Sequence, residues 1–312
     1  MLIKILFSFF LLTGAAVPSD HLVITLHGKP AATVTRAEVT RVFPGPPFID
    51  PEQVDQFISK LNRTIYQAPQ NATLDQHGGI AAEKPGVRLD QRAFRDRFYR
   101  YLFSRGPATV EAPLSPVYPK VDSELLSEIR VRPIGSYVTF FNAGNKSRSN
   151  NIMLATEAIN NTVVFPNETF SFNQTVGRRT KEKGYLPARV IVRGEYSEGI
   201  GGGICQVSST LFNAVDRAGL RITQRYSHSR RVGYVPPGRD ATVDWYGPDF
   251  RFRNTYHQPI LIRAHKYGGS VSFSLYSSDT IHIKPKTIPN PSAKMPEEGH
   301  AGHKQKLKKK AE

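Results

Sequence analysis

One stretch decides the architecture and the chemistry of this chain: GIGGGICQVSSTLFNAVDRAG, which runs from Gly199 to Gly219. The three consecutive glycines at 201–203 favour a loop, because glycine adopts backbone angles that other residues rarely reach. After the loop, apolar residues recur at helical spacing as far as Ala218, and Gly219 stands where helices commonly end. Cys205 is therefore predicted to lie in the first turn of a helix, directly after the glycine loop.

Cys205 is the only cysteine among 312 residues, which excludes a disulfide within the chain and any cysteine-rich zinc or iron–sulfur site. At a helix start the dipole stabilises the thiolate, which is the nucleophilic form, and the first backbone N–H groups could hold an oxyanion. Two other interpretations stay open. Cys205 could be a buried structural residue, or the glycine loop could cradle a phosphate, although no Lys-Ser/Thr follows it.

A thiol nucleophile needs a base, and the chain has nine histidines. A helix of about 14 residues rises about 21 Å, and the six or seven residues after Gly219 span about 20–23 Å if extended. An antiparallel return would therefore bring His228 level with Cys205. The orienting carboxylate would be Asp240, Asp244 or Asp249. In the alternative interpretation His228 only caps a turn between two serines.

The sequence predicts the α+β class: two α+β domains after a signal peptide, with a disordered basic C-terminal tail. Residues 134–283 form the second predicted domain. A helix is predicted at 152–159, and strands are predicted at 137–141, 249–253, 260–263 and 271–276. We also expect the segments 163–165 and 169–172 to pair with each other around a turn at Pro166-Asn167.

Residues 20–106 form the first predicted domain. Asp50-Pro51 predicts a helix start, because Asp is a common N-cap and Pro suits the first helical position. A second helix is predicted from Asp90, and a hairpin over 72–81. Nothing in this domain is typical of a catalytic site. Residues 107–133 are read as a Pro-rich connector with a short helix at 122–129.

The two ends of the chain predict its compartment. Residues 1–19 combine a basic start, an apolar run and a small-residue end, as secretory signal peptides do; the alternative is an uncleaved membrane anchor. Residues 284–312 hold eight lysines, and the whole chain carries a net charge of +16. We expect an exported protein that meets anionic cell-wall polymers and contacts the membrane surface through its tail, with no nucleic acid as partner.

Several motifs carry a resemblance to a known family. They are GGGICQVSSTLFNA from Gly201, the pair His228-Ser229, YVPPGRDATV from Tyr234, and the pair Asp249-Phe250. With upstream matches such as Gly177-Arg178-Arg179-Thr180, these motifs over 134–265 resemble the VanW domain family, whose name comes from vancomycin-resistance gene clusters. Asn167 stands where that family usually has Gly. The N-terminal region resembles the peptidoglycan-binding domain found before VanW domains, and the whole chain resembles exported proteins of the YoaR type.

The resemblance implies an L,D-transpeptidase-like cysteine acyltransferase that acts on peptidoglycan stem peptides. It makes Cys205 the nucleophile, His228 the base, and Asp240 or Asp249 the orienting residue. Candidate oxyanion or substrate contacts are Gly203, Gln206, Ser208 and Ser209. No cofactor or metal is implied. The alternative is a non-enzymatic wall-binding protein in which Cys205 is structural.

Overall fold

The computed structural model of the protein describes residues 20–41, 48–192 and 195–291. These residues form α-helices and short strands in alternation, so the predicted α+β class is confirmed. The helices are α1 (Pro51–Ile65), α2 (Gln91–Phe103), α3 (Ser123–Ile129), α4 (Lys146–Ile159), α5 (Phe172–Val176) and α6 (Ile204–Arg217). The strands are β1 (His21–Leu26), β2 (Lys29–Thr35), β3 (Thr40–Arg41), β4 (Phe48–Ile49), β5 (Thr73–Leu74), β6 (Ile80–Ala81), β7 (Gly86–Leu89), β8 (Ala108–Glu111), β9 (Leu114–Val117), β10 (Arg132–Phe140), β11 (Thr162–Val164), β12 (Thr169–Ser171), β13 (Pro187–Val192), β14 (Glu195–Ile200), β15 (Arg221–Gln224), β16 (Arg251–Arg253), β17 (Ile260–Tyr267) and β18 (Ser270–Ser277).

The first of two compact units contains the described residues up to 71 together with 83–120. Its main sheet has the order β2-β1-β8, in which β1 and β2 are antiparallel and β1 and β8 are parallel. Helix α1 begins as predicted: the Asp50 side chain accepts a hydrogen bond from the Glu52 N–H, and Pro51 is the first helical residue. Apolar faces of α1 and α2 form the core, where Phe94 and Phe98 are completely buried.

The Pro-rich segment differs from the expected connector. Residues 108–111 form β8 beside β1, and residues 114–117 form β9, which pairs with β7. Both strands belong to the first unit, and the division between the units falls after residue 120. Proline restricts the chain to extended angles, which an edge strand accepts as readily as a linker does, so composition could not separate the two.

The second unit contains residues 72–82 and the described residues from 121 onward. Its largest sheet is antiparallel, in the order β10-β18-β17-β11, and helices α4 and α6 pack against it. A smaller sheet has the order β12-β16-β15, and the ring of Phe212 from α6 meets the ring of Phe250 edge to face at 5.8 Å. Helix α6 is therefore enclosed by core on nearly every side, which fixes the position of its first turn.

The predicted hairpin at 72–81 exists, because β5 and β6 pair antiparallel. It packs in the second unit, however, where Leu74 and Ala72 share a small core with Leu126, Ile129 and Leu261. The expected first domain, 20–106, thus contains an insertion that belongs to the other unit. A local pattern of turn residues predicts a hairpin without indicating which core it will cover.

The predicted pairing of 163–165 with 169–172 is wrong. Strand β11 pairs with β17, whereas β12 pairs with β16 in a different sheet. The turn between them does form: Asn167 has a φ of 64°, and the Glu168 N–H bonds to the Phe165 carbonyl. Asn tolerates this left-handed conformation, so it can replace the Gly that the resembling family usually carries there.

The ordered part of the second unit continues past the predicted boundary at 283. Ile288 is buried, the Lys286 ammonium pairs with the Asp216 carboxylate at 2.9 Å, and the Tyr137 hydroxyl donates to the Pro289 carbonyl. The first residues of the predicted disordered tail, 284–291, therefore contact the second unit, although most of them are exposed. The rest of that tail and the predicted signal peptide lie outside the described residues. Along the described ranges, no helix is both long and apolar enough to span a membrane.

Candidate functional site

The site is built on the glycine loop that precedes helix α6. Gly203 is the N-cap of α6 with a φ of 110°, and Gly201 has a φ of 87°, both in the left-handed region that favours glycine. A Cβ at Gly202 would lie 2.6 Å from both the Ala188 carbonyl carbon and the Arg189 carbonyl oxygen. The loop therefore needs glycine for its conformation at two positions and for close approach to β13 at a third.

Cys205 is the second residue of α6, as the sequence predicts, and its side chain is half-buried. The sulfur lies 3.7 Å from the Thr242 hydroxyl and 3.6 Å from the Val243 carbonyl oxygen. It also interacts with the His228 imidazole. Burial by itself would raise the pKa of the Cys205 thiol, but the hydrogen bond and the charge of His228 outweigh it and hold the pKa below its ordinary value.

His228 interacts with Cys205, as the sequence predicts. After α6 ends, residues 221–224 form strand β15, and His228 follows it four residues later. Its Nδ1 lies 2.6 Å from Oδ2 of Asp240, and both side chains are less than a tenth exposed. Since Nδ1 is occupied by this carboxylate, Nε2 is the ring nitrogen left for the sulfur.

The electrostatics of the site favour an ion pair between Cys205 and His228. Burial by itself would lower the pKa of His228, but hydrogen bonds with the Asp240 carboxylate and the Cys205 sulfur raise the pKa to about 9. Burial acts to raise the pKa of Asp240, and its bonds with the imidazole and backbone N–H of His228 bring that pKa below its usual value. These shifts move the pair toward the thiolate and the imidazolium, with Asp240 as a carboxylate beside them.

Asp240 is therefore the carboxylate that the structure brings to His228. Asp249, another of the three candidates, is buried elsewhere: it accepts hydrogen bonds from the Ser171 hydroxyl, the Asn173 N–H and the Arg251 guanidinium. The carboxylate of Asp244 instead accepts from the Tyr246 N–H in its own loop. Spacing alone could not choose among three aspartates within ten residues of one another.

The structure does not place Gln206, Ser208 and Ser209 where a substrate would touch them. All three are completely buried. Gln206 donates to the Thr139 hydroxyl and the Phe140 carbonyl and accepts from Arg148 at 2.7 Å. These bonds use the amide fully, so the expectation of a substrate contact is replaced by a structural role: Gln206 ties the start of α6 to β10.

The two serines join α6 to the segment that carries Asp240. Ser208 and Ser209 both donate to the Cys205 carbonyl, and the Ser209 hydroxyl accepts from the Ala241 N–H at 2.8 Å. The single proton of Ser208 is shared with the Ala241 carbonyl, which lies 2.5 Å from its hydroxyl oxygen. The two serines therefore hold Asp240 and its neighbours against the turn that carries Cys205, and they position Cys205 and His228 relative to each other.

Three residues near the sulfur were not among the expected site residues: Thr242, Tyr234 and Arg179. Burial, and then the charge of Cys205, raise the pKa of the Tyr234 phenol, which also bonds to Ser209. Burial lowers the pKa of Arg179, although the charge of Cys205 acts to raise it. All three stand in motifs that carry the family resemblance, but their residue types alone indicate no role. Over the described ranges, no group of three or more His, Cys, Asp or Glu side chains is placed to hold a metal ion.

The fold and the site together define a two-unit α+β protein with a Cys–His–Asp constellation at the start of a buried helix. The family model described as "VanW like protein" matches residues 147–276, which include all three of these side chains. The protein YoaR of Bacillus subtilis (strain 168) is 56% identical over 292 residues, covering 94% of this chain and 96% of YoaR. The chain belongs to the VanW-like family.

A second relative is more distant. The vancomycin B-type resistance protein VanW of Enterococcus faecalis (strain ATCC 700802 / V583) is 32% identical over 109 residues, which is 33% of this chain and 40% of that protein. No solved structure gives a significant match to the chain.

Proposed function

We propose that this protein is an exported cysteine acyltransferase of the cell envelope that forms a thioester between Cys205 and a peptidoglycan stem peptide. The observation that supports it most strongly is the Cys205–His228–Asp240 arrangement, in which the imidazole contacts both the sulfur and the carboxylate. A structural cysteine needs neither a lowered pKa nor a buried, charged histidine beside it. Burial of a charged pair costs free energy, so such pairs are typical of sites where the charges are used chemically.

In the first half of the reaction, the Cys205 thiolate attacks a peptide carbonyl carbon and forms a C–S bond. The carbonyl oxygen becomes an oxyanion, which the first-turn N–H groups of α6 and the Tyr234 hydroxyl could stabilise. The raised pKa of Tyr234 keeps its proton in place for such a bond. The C–N bond then breaks, and the departing amine takes a proton from the His228 imidazolium.

In the second half, neutral His228 removes a proton from an incoming amine of another stem peptide, or from water. The resulting nucleophile attacks the thioester carbonyl, the C–S bond breaks, and Cys205 leaves as the thiolate. The products are a new cross-link or a hydrolysed peptide, and the imidazolium is restored. Throughout, the Asp240 carboxylate at 2.6 Å fixes the ring and stabilises its charged form.

The cell envelope as the place of action is part of the proposal. Its support is the name of the Enterococcus relative, a vancomycin resistance protein, together with the signal-like residues 1–19 and the net charge of +16. An excess of basic side chains attracts anionic wall polymers and membrane surfaces, and it concentrates the protein where stem peptides are. We assign the first unit to wall binding, since its described core is built from packed helices without a reactive constellation.

The test is incubation of the purified chain with a stem tetrapeptide and an acceptor stem peptide, followed by chromatographic analysis of the products. We expect release of the C-terminal amino acid together with a cross-linked or shortened peptide. Cys205→Ser and His228→Gln should each abolish the release. The matched control is His257→Gln, because His257 is an exposed histidine of the same unit.

Equal product formation by the wild type and Cys205→Ser would contradict the proposal. If no peptide is processed while the chain still sediments with purified peptidoglycan sacculi, the non-enzymatic wall-binding alternative is supported instead, with Cys205 as a structural residue. Binding by charge should weaken as salt rises, since exposed charges are screened over about 8 Å at physiological ionic strength.

A further inference from the structure

Arg179 is a guanidinium beside the site whose hydrogen bonds are incomplete. Its Nη2 donates to the Asn173 side-chain oxygen at 2.8 Å, and its charged end lies 5.6 Å from the ring centre of Phe172. Its Nη1 is buried and has no hydrogen-bond partner in the structure. A buried donor without a partner costs free energy comparable to a lost hydrogen bond, more when it is charged.

The stem of Arg179 is held against the loop that leads to Cys205. A Cβ at Gly201 would lie 3.3 Å from Arg179 Cβ and 3.4 Å from its Cγ. The charge of Cys205 also acts to raise the pKa of Arg179, so the two groups interact electrostatically. The guanidinium is thus fixed next to the loop that leads to Cys205, by packing on its aliphatic part and by one bond at Nη2, while Nη1 is left without an acceptor in this partly exposed side chain.

Nearby carboxylates do not pair with Arg179. The Asp249 oxygens are occupied by Ser171, Asn173 and Arg251, and the Asp244 carboxylate accepts from a backbone N–H of its own loop. No described carboxylate lies within ion-pair distance of Arg179. A guanidinium presents a planar set of donors that matches a carboxylate, so an anionic ligand is the group that would complete it.

We propose that Arg179 binds a carboxylate of the peptide substrate next to the reacting carbonyl, and that this contact makes Cys205 selective for peptides with a negative charge there. The identification of the ligand as a peptide rests on the proposed function, whereas the anion site itself does not. The carboxylate has two sources in such a peptide: the C-terminus of the departing residue, or an acidic group on the residue that is acylated.

The first experiment needs no natural substrate. Iodoacetate and iodoacetamide both alkylate Cys205 by displacement of iodide. Iodoacetate carries a carboxylate at the position where iodoacetamide carries a neutral amide. The ratio of their rates, followed by intact mass, reports an anion site beside the sulfur. Arg179→Gln should lower the ratio of the iodoacetate rate to the iodoacetamide rate about tenfold. This fold-change corresponds to the typical free-energy contribution of a hydrogen bond to a charged group.

Arg178→Gln is the matched control, because Arg178 is the preceding arginine, is exposed and lies over the Tyr246 ring. This variant should keep the rate ratio within about twofold of the wild-type value, because exposed charges interact weakly. Arg179→Lys retains the charge and most of the stem, so it should give an intermediate ratio and covers the case in which the Gln variant does not fold. An unchanged ratio in Arg179→Lys and Arg179→Gln, or an equal fall in Arg178→Gln, would overturn the proposal.

The second experiment identifies the source of the carboxylate. Trp245 is the only tryptophan of the chain, is partly exposed and stands two residues after Val243, which contacts the sulfur. Its fluorescence in Cys205→Ser should therefore report peptide binding without reaction. A tenfold weaker affinity for the C-terminal amide indicates the departing residue, and a tenfold weaker affinity for a side-chain amide indicates the acylated residue.

The two proposals can fail separately. If the alkylation ratio depends on Arg179 but no peptide is ever processed, the anion site stands and the acyltransferase function fails. If peptides are processed but acid and amide forms bind equally to both Arg179 variants and the wild type, the acyltransferase stands and the selectivity for a carboxylate is wrong.

Discussion

The Asp240 carboxylate bonds to His228 twice: Oδ2 lies 2.6 Å from the imidazole Nδ1 and also accepts the backbone N–H of the same residue at 2.6 Å. This double contact fixes both the backbone and the ring of His228. The ring can then present only Nε2 to Cys205. Because Asp240 is itself linked to α6 through the bonds of its neighbour Ala241 with Ser208 and Ser209, the side chains of Cys205, His228 and Asp240 are held by one connected set of bonds.

The first prediction concerns the pH dependence of Cys205. The pKa of the thiol is lowered and that of His228 is raised to about 9, and both shifts favour the thiolate–imidazolium pair. Alkylation by iodoacetamide should therefore stay fast well below pH 8.5, about the pKa of a free thiol. Acyl transfer also needs the imidazolium as acid, so its rate should fall above about pH 9 while alkylation does not. An alkylation midpoint at or above the free-thiol value would contradict the ion pair.

The second prediction concerns Asp240→Asn. The amide can still accept from the His228 N–H but carries no charge, so the pKa of His228 should fall and less thiolate should be present at pH 7. We expect alkylation at pH 7 to slow about tenfold, which corresponds to about one pKa unit, and to recover at pH 10. The control Asp279→Asn, at an exposed aspartate, should change the alkylation rate neither at pH 7 nor at pH 10.

The third prediction separates structure from substrate contact at Ser209. Replacement by Ala leaves the buried Ala241 N–H without its acceptor and should lower the free energy of unfolding by about 1–3 kcal/mol, measured by urea denaturation. Ser229→Ala, at an exposed serine, should shift it by less than about 0.5 kcal/mol. Unchanged stability together with a large loss of activity in Ser209→Ala would restore the expected role in substrate or oxyanion binding.

The fourth prediction concerns Gly202→Ala. The added methyl group would meet backbone atoms of residues 188 and 189, which cannot rotate away, so the loop must shift. We expect a loss of about 1–3 kcal/mol in the free energy of unfolding and an alkylation pH profile closer to that of a free thiol. Gly247→Ala has only ordinary contacts and serves as the control. A normal profile in Gly202→Ala would show that the loop does not position Cys205.

Much of this site could be predicted from local sequence. The glycines and the apolar spacing predicted helix α6 with Cys205 in its first turn, and chain lengths predicted the return to His228, because both depend on neighbouring residues. The choice of Asp240 over Asp249 depended on contacts between distant segments, which spacing does not contain. The same limit explains the wrong pairing of β11 with β12 and the unexpected placement of hairpin β5–β6.

The buried polar residues show a second limit of sequence reasoning. Gln206, Ser208 and Ser209 follow Cys205 directly, and residues of these types often contact substrates, so they were natural candidates. Helical geometry instead turns them into the core, where they bond to Thr139, Phe140 and Ala241. Arg179 has no such signal, because its proposed role rests on a buried nitrogen without a hydrogen-bond partner, which only the packed structure shows.

The most direct test of the central claim is the intact mass of the chain after brief exposure to a stem tetrapeptide. With a single cysteine in the sequence, a thioester can form at only one side chain. The account predicts an added mass equal to the peptide without its departing residue, removed by hydroxylamine and absent in Cys205→Ser. An unmodified wild-type mass under conditions where the peptide is consumed, or the same adduct in Cys205→Ser, would contradict a covalent role for Cys205.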